Sequence, residues 1–502
     1  MPTTTDQRDA IAAALADFAS YPLADAARRF FATLGYKSDR QISIATAPEF
    51  CELLDSHGRL DSRGRDELST SLASLHLLFQ ITDTEIGETL DDKQGRLFES
   101  AKTVEGSRIE SYLFFAAELA PGTKTTRTAL SQLLRLINKP LPMPALVLFR
   151  HGGNVSLAVL HRRLHKTQGD RDVLEKATLI RDIRCASPHR AHLEILSELA
   201  LASLNAAHGP LDGFVALHRA WRKTLAIEPL NKRFYQQLQH WYFWALGHVR
   251  FPKDAPKDAD GRDSLSLIRL LTRLIFVWFI REKGLVPDVL FDERRLGALL
   301  EGFAPRDRRQ RDSVFYRAIL QNLFFATLNQ EPDQRGWARE GQNFMAHSLY
   351  RHRECFADAA HSLDLFKDIP FLNGGLFECL DKDLGEGKSP RYQRIDGFSR
   401  RDDSQPCVPD FLFFGDEVEA DLSEFFGEKK SRPARVRGLC RILADFKFTI
   451  EENTPIEEDV ALDPELLGRV FENLLAAYNP ETQVTARKQT GSFYTPREIV
   501  DY

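Results

Sequence analysis

Between residues 108 and 183 the sequence changes its hydrophobic period, and this limits the fold more than any other feature. Before it, apolar residues recur at helical spacing. Leu23, Ala26, Ala27, Phe30, Phe31 and Leu34 share one face, and Gly35 is placed to end the helix. A second apolar helix is expected near Leu72 to Phe79. SYLFFAAEL (Ser111 to Leu119) is then a short, aromatic-rich apolar run and reads as a buried strand. Thr126 to Asn138 returns to helical spacing, with Leu130, Leu133, Leu134 and Ile137 on one face, and Pro140, Pro142 and Pro144 stop it. ALVLFR (Ala145 to Arg150), the tight turn HGGN and VSLAVLHRR read as paired strands, with a further strand at Val173 to Ile183.

The chain has 502 residues, enough for about three domains. The expected fold is multi-domain and mainly α-helical, with an embedded α/β, nuclease-like module. Residues 1–105 form an amino-terminal helical region, 106–190 the α/β module and 191–450 a helical connector and DNA-contact region. FPKDAPKDADGRD, at 251–263, is charged and punctuated by proline, and reads as a linker or exposed loop. Residues 451–502 form the last part. There ILADFKFTIEENTP reads as a strand entering a turn, and Asp463-Pro464 opens a helix with Leu466, Leu467, Val470, Phe471, Leu474 and Leu475 in one stripe.

The composition, 43% hydrophobic and 28% charged, excludes a disordered chain or a small secreted scaffold. The net charge of −5 gives no global positive field, so nucleic-acid binding must use local patches. Six scattered cysteines without a Cys-x-x-Cys pair suit a reducing compartment. MPTTTDQRDA carries no secretory pattern, and LIFVWFI (Leu274 to Ile280) is too short to span a bilayer. A cytoplasmic protein without a membrane partner is expected.

The sharpest motif is GSFYTPREIVDY, Gly491 to Tyr502. It combines a glycine turn, two aromatic rings and Thr495-Pro496 at a helix start. Such a turn offers aromatic faces and free helix N–H groups, which can hold an adenosyl or carboxylate moiety. An ordinary capped helix start has the same spacing.

TGSFYTPREIVDY resembles motif X of gamma-class adenine-N6 DNA methyltransferases. IEENTPIEEDVALDPELLGRVFENLL, LLTRLIFVWFIREKGLVPDVLF and IPFLNGGLFE are similar to segments of the large fused restriction–modification methylases, the type IIG group. The resemblance is specific over about Leu270 to Tyr502 and looser before that. It implies S-adenosylmethionine as cofactor of the complete enzyme, with Gly491, Phe493, Tyr494, Thr495 and Pro496 lining one wall of its pocket. It also implies double-stranded DNA as partner and a role in restriction or phage defence. The family's glycine-rich cofactor motif and its Asn/Asp-Pro-Pro-Tyr/Phe loop do not occur; Asn479-Pro480 is followed by Glu481. The chain therefore reads as the amino-terminal part of such a methylase, inactive alone. Its catalytic domain would be supplied in cis or as a separate chain.

Type IIG enzymes often carry a Mg²⁺-dependent nuclease, which needs an acidic residue at a strand end and Glu-x-Lys on a neighbouring strand. Glu118 ends the right strand, but Ala120 stands where lysine is needed. Glu386-Gly-Lys388 falls in a loop, and Asp445-Phe-Lys447 in the pre-methylase segment. Mg²⁺ enters only if this reading holds, and a degenerate or DNA-contacting module is favoured. A non-catalytic DNA-binding or scaffold subunit of a defence complex is the other alternative. His161 with His165, and His189 with His192, have metal-like spacing, but no further ligands complete a site. Gly387-Lys388-Ser389 lacks the first glycine of a phosphate loop and a preceding strand. Arg162, Arg163 and Lys166 form one basic cluster, and Arg306, Arg308, Arg309 and Arg311 another. Lys429, Lys430, Arg432, Arg435 and Arg437 form a third. Such clusters neutralise phosphates. Trp241, Tyr242, Phe243 and Trp244 point all round a helix, which favours core packing over a base-stacking platform.

Overall fold

The computed structural model describes residues 4–40, 44–54, 61–82, 111–141, 144–164, 172–309, 312–339, 346–372, 374–385, 391–426, 433–449, 457–462 and 468. The chain divides into two compact units, residues 1–230 with 451–462, and residues 231–450 with 463–502.

The first unit opens with helices α1 (Thr4–Ala16), α2 (Leu23–Thr33), α3 (Ala47–Leu54) and α4 (Ser62–Ser71). Gly35 ends α2 at φ +90°, where a Cβ would also press on Leu201 at 3.2 Å. Strand β1 (Leu72–Thr82) follows α4 directly, then β2 (Ser111–Leu119), α5 (Arg127–Asn138), β3 (Ala145–His151), β4 (Asn154–Leu164) and β5 (Asp172–Arg184). Helices α6 (Arg190–Glu198), α7 (Leu201–His208) and α8 (Phe214–Thr224) complete it.

Residues 72–79 are therefore a strand, not the expected helix. Leu72, Leu75 and Leu78 fit helical spacing, but register shifts between Leu72 and Ser74 and between Leu77 and Phe79 disturb the period of two. The second shift changes the face. Leu75 and Leu77 enter one core, and Leu78, Phe79 and Ile81 the other.

The sheet has the order β1-β2-β3-β4-β5, with the short strand Glu457–Asp459 paired in parallel beyond β5. Both faces are covered. Phe114 and Ala116 of β2 and Leu146 and Leu148 of β3 pack under α1, α2 and α6 to α8, while Phe115, Ala117, Val147 and Phe149 pack under α3, α4 and α5. A strand buried on both faces loses its polar alternation, which is why SYLFFAAEL reads as one apolar run. The β2–α5–β3 crossover is pinned by Asn138, whose amide donates to the Leu134 carbonyl at 2.9 Å and accepts from Ala145 N at 2.8 Å. Arg181 on β5 pairs with Asp459 at 2.9 Å and anchors the added strand.

The second unit begins in α9 (Ile227–Leu246) and continues through α10 (Ser264–Arg281) and α11 (Glu293–Leu299). Trp241, Tyr242, Phe243 and Trp244 of α9 are all buried, and Trp241 Nε1 donates to the Leu412 carbonyl at 2.7 Å. These four rings are core, not a platform. Gly284, at φ +70°, ends the turn after α10.

Residues 251–263 are a folded loop inside this unit, not a linker. Phe251 and Ala255 are buried, and Asp263 accepts from Phe251 N at 2.9 Å and pairs with Lys257. The sequence hides this because one buried carboxylate, not an apolar stripe, organises the loop. Phe315–Leu328 is a π-helix whose residues are all buried except Arg317. Its wider turn is marked by Thr327, whose hydroxyl donates five residues back to the Asn322 carbonyl at 2.9 Å. Two small hairpins follow, β6 (Lys382–Asp383) with β7 (Tyr392–Gln393) and β8 (Val418–Asp421) with β9 (Pro433–Val436). Helix α12 (Phe411–Phe414) lies between them, and α13 (Leu439–Ala444) stands where ILADF was expected to begin a strand. Its Leu439, Cys440, Ile442 and Leu443 are all buried, so helical spacing wins over the apolar run.

Candidate functional site

In a sheet with a parallel crossover, sites form beyond the carboxyl ends of the paired strands. Here those ends carry Glu118 of β2 and Arg150 of β3, which stand opposite each other in the register. Arg150 Nε donates to the Glu118 carboxylate, and its Nη1 donates to the Phe18 carbonyl at 3.3 Å. Glu118 is thus charge-neutralised by an arginine at the point where a nuclease would hold Mg²⁺ with a second carboxylate. Asp445 pairs with Arg437, and Lys447 pairs with Glu282 at 2.8 Å, so that Asp-x-Lys sequence is spent on ion pairs too. Glu386 and Lys388 lie outside the described residues.

Beside Arg150, His151 Nε2 meets Ser156 Oγ at 3.0 Å and lies 3.7 Å from Asp182 Oδ1. Burial holds the His151 imidazole below its ordinary pKa. These residue types suggest a hydrolase triad, but the geometry does not make one. Serine and carboxylate both face the same ring nitrogen, whereas a triad needs them on opposite nitrogens. Ser156 is also fully buried and accepts a hydrogen bond from Asp182 N at 3.1 Å. Its hydroxyl braces the bend at Asp182, where φ is +56°.

The arginines expected to touch DNA fall into two groups. Arg162 and Arg163 belong to the end of β4, but their side chains, with Lys166 and Arg311, lie outside the described residues. Arg306, Arg308 and Arg309 are exposed in the turn after α11. Arg306 is engaged by Glu293 at 3.2 Å and Asp416 at 3.9 Å. The Arg308 guanidinium lies 5.8 Å from the centre of the Trp244 ring. Arg435 and Arg437 of the third cluster pair with Glu417 and Asp445, while Lys429, Lys430 and Arg432 lie outside the described residues. Gly491, Phe493, Tyr494, Thr495 and Pro496 lie outside them as well. Of the spaced histidines, His189 caps α6 by accepting from Ala191 N at 3.1 Å, and His192 is buried. His161's side chain and His165 are not described.

Sequence reasoning missed the polar interior of the second unit. Arg273, in the middle of α10, meets Asp396 at 3.0 Å and donates to the carbonyls of Leu376 and Glu378 at 2.8 and 2.9 Å. Asp396 Oδ2 accepts from Leu380 N at 2.8 Å. One buried ion pair therefore fixes the segment around IPFLNGGLFE against the apolar helix. Arginines inside an apolar helical run, at 269 and 273, were the available signal. Beside this pair, His347, Cys379 and Asp381 bring a ring nitrogen, a thiol and a carboxylate together.

Fold and site together describe a layered α/β unit, in which Glu118 is paired with Arg150 and His151 completes no hydrolase triad, and a helical unit with an ionic core. In sequence the chain is similar to a restriction–modification protein. It is 26% identical over 255 residues to a protein of Methanocaldococcus jannaschii named "Putative type II restriction enzyme and methyltransferase". The match spans 50% of this chain and 15% of that protein's length. No family model matches the chain. No solved structure matches it either. The resemblance read from the motifs thus extends to a curated relative of the restriction–modification class.

Proposed function

We propose that this chain is the amino-terminal part of a type IIG adenine-N6 DNA methyltransferase that serves restriction–modification and phage defence. The match to the Methanocaldococcus protein carries the reading. TGSFYTPREIVDY supports its methylase side. S-adenosylmethionine supplies the methyl group when bound. Gly491, Phe493, Tyr494, Thr495 and Pro496 would form one wall of its pocket. The hydrogen-bonding loop that selects a flipped adenine would come from a methylase catalytic domain, in cis or as a separate chain. The engaged state of Glu118 favours this reading over a nuclease centred on the α/β unit.

The helical unit would contact duplex DNA through its phosphates. Exposed Arg308 and Arg309, with Arg311, are the cations assigned to that contact, whereas Arg306 is held by acidic neighbours. Reversing the three to glutamate is expected to flatten the salt dependence of duplex binding. Every phosphate that is no longer neutralised lowers the slope of log K against log salt by about 0.9. Fluorescence anisotropy across a salt series measures that slope. An unchanged slope would remove these arginines from the interface.

A further inference from the structure

We propose that His347, Cys379 and Asp381 form a transition-metal site suited to zinc(II), inside the helical unit. Their candidate donor atoms lie within 4.8 Å of one another. In a tetrahedral zinc site, donors at about 2.0–2.3 Å from the metal stand roughly 3.5 Å apart. Closure therefore needs a shift of about 1 Å. His347 sits half-buried in a turn and is the partner able to supply it.

Three features of the cluster point to a ligand. First, both ring nitrogens of His347 are shielded from water and neither has a hydrogen-bond partner. Buried polar atoms are rarely left so, and a metal bond removes the deficit at one of them.

Second, Asp381 is already aimed. Its Oδ1 accepts from the backbone N–H groups of Ile395, Asp396 and Gly397 at 2.7 to 3.0 Å, and Oδ2 accepts from Phe398 N at 3.0 Å. The β6–β7 hairpin folds this amide turn back onto Asp381, as outer hydrogen bonds orient ligating carboxylates elsewhere. Oδ2 also forms a long, buried ion pair with Arg394 Nη1 at 3.5 Å, the contact that a metal at this oxygen would replace.

Third, the cluster holds a buried thiol. Asp396 is neutralised by Arg273, while Cys379 is buried and free of any disulfide. A divalent ion bound by one thiolate and one carboxylate leaves the ligand set itself neutral, beside the Arg394 guanidinium that now pairs with Asp381. The thiolate selects a softer ion than magnesium or calcium. Three protein ligands leave a fourth position for an exogenous one.

Binding replaces the Cys379 thiol proton with the metal and releases that proton to solvent. The test uses the full chain, stripped with chelator and titrated with cobalt(II) alone, then back-titrated with zinc(II). One cobalt per chain with a thiolate-to-cobalt charge-transfer band, displaced by zinc, is expected. Cys379→Ser should abolish the band. His347→Gln should weaken binding by more than about 10-fold, the loss that even an outer-sphere partner can cause. The His347 ring makes no hydrogen bond, so this variant remains decisive should Cys379→Ser unfold; far-UV circular dichroism checks both. Absence of the band in the unaltered chain, or unchanged affinity in a folded His347→Gln, would overturn the site. Neither outcome depends on methyl transfer, so the site and the proposed function fail separately.

Discussion

Replacing Arg273 by leucine is expected to destabilise the helical unit by about 3–5 kcal/mol, the cost of breaking a buried ion pair from one side. The arginine side chain is 4% exposed and its Asp396 partner 3%, so water cannot take over from the lost charge. The substitution also leaves the carbonyls of Leu376 and Glu378 without their donor. Asp396 would remain a buried carboxylate with only the Leu380 amide on Oδ2. Adding Asp396→Asn should restore part of the stability, because the buried carboxylate is then gone. Two units need not unfold together, so a single global transition is a poor reporter. Hydrogen exchange read along residues 264–281 reports this unit directly. A loss below about 1 kcal/mol would mean that the pair is hydrated in solution.

Truncating Trp221 to alanine is expected to cost the α/β unit about 3–5 kcal/mol, the usual range for an aromatic ring removed from a core. Trp221 is 2% exposed on α8 and packs edge-on to Tyr36 and Tyr112, with ring centres 5.6 and 5.0 Å away. Its indole N–H donates to the Tyr36 hydroxyl at 2.8 Å, which donates to the Leu199 carbonyl at 2.6 Å. This relay ties α8 to the chain after α2 and to the end of α6. Trp221→Phe keeps most of the packing and loses only the relay's first donor, so it should cost about 1 kcal/mol. Exchange protection of β2, which carries Tyr112 and Phe114 beneath the ring, separates the two variants. Equal losses would assign the stability to the hydrogen bond instead of the packing.

The sheet of the first unit is legible where each segment keeps one period. SYLFFAAEL, ALVLFR and VSLAVLHRR are strands, and the helix expected from Thr126 is α5, with Thr126 as its cap, accepting from Ala129 N at 3.4 Å. Leu72 to Phe79 reads as a helix because two register shifts place leucines at helical spacing in a strand. The strand at Glu457–Asp459 is not legible at all. It is acidic, and only its partner β5, hundreds of residues earlier, makes it a strand. Residues 251–263 mislead for a related reason, since a buried Asp263 replaces the apolar signal that marks packed segments.

The candidate site divides in the same way. Glu118 stands out from its place at a strand end, but its pairing with Arg150 depends on the parallel register of β2 and β3, which no local pattern encodes. In sequence Arg306 looks like its basic neighbours, and only the fold places Glu293 and Asp416 beside it. The donors of the proposed metal site lie at 347, 379 and 381, and only the Cys-x-Asp spacing is local. The hairpin that orients Asp381 converges through backbone amides, which carry no residue signature.

The measurement that bears most directly on the proposed function is methyl transfer by the protein containing this chain, with its methylase catalytic domain in cis or added. Labelled S-adenosylmethionine and unmethylated duplex DNA are the substrates, and the DNA is digested to nucleosides for mass spectrometry. Label is expected in 6-methyladenine, and Phe493→Ala with Tyr494→Ala should remove it while duplex binding persists. Label in cytosine, or transfer unaffected by those substitutions, would contradict the assignment.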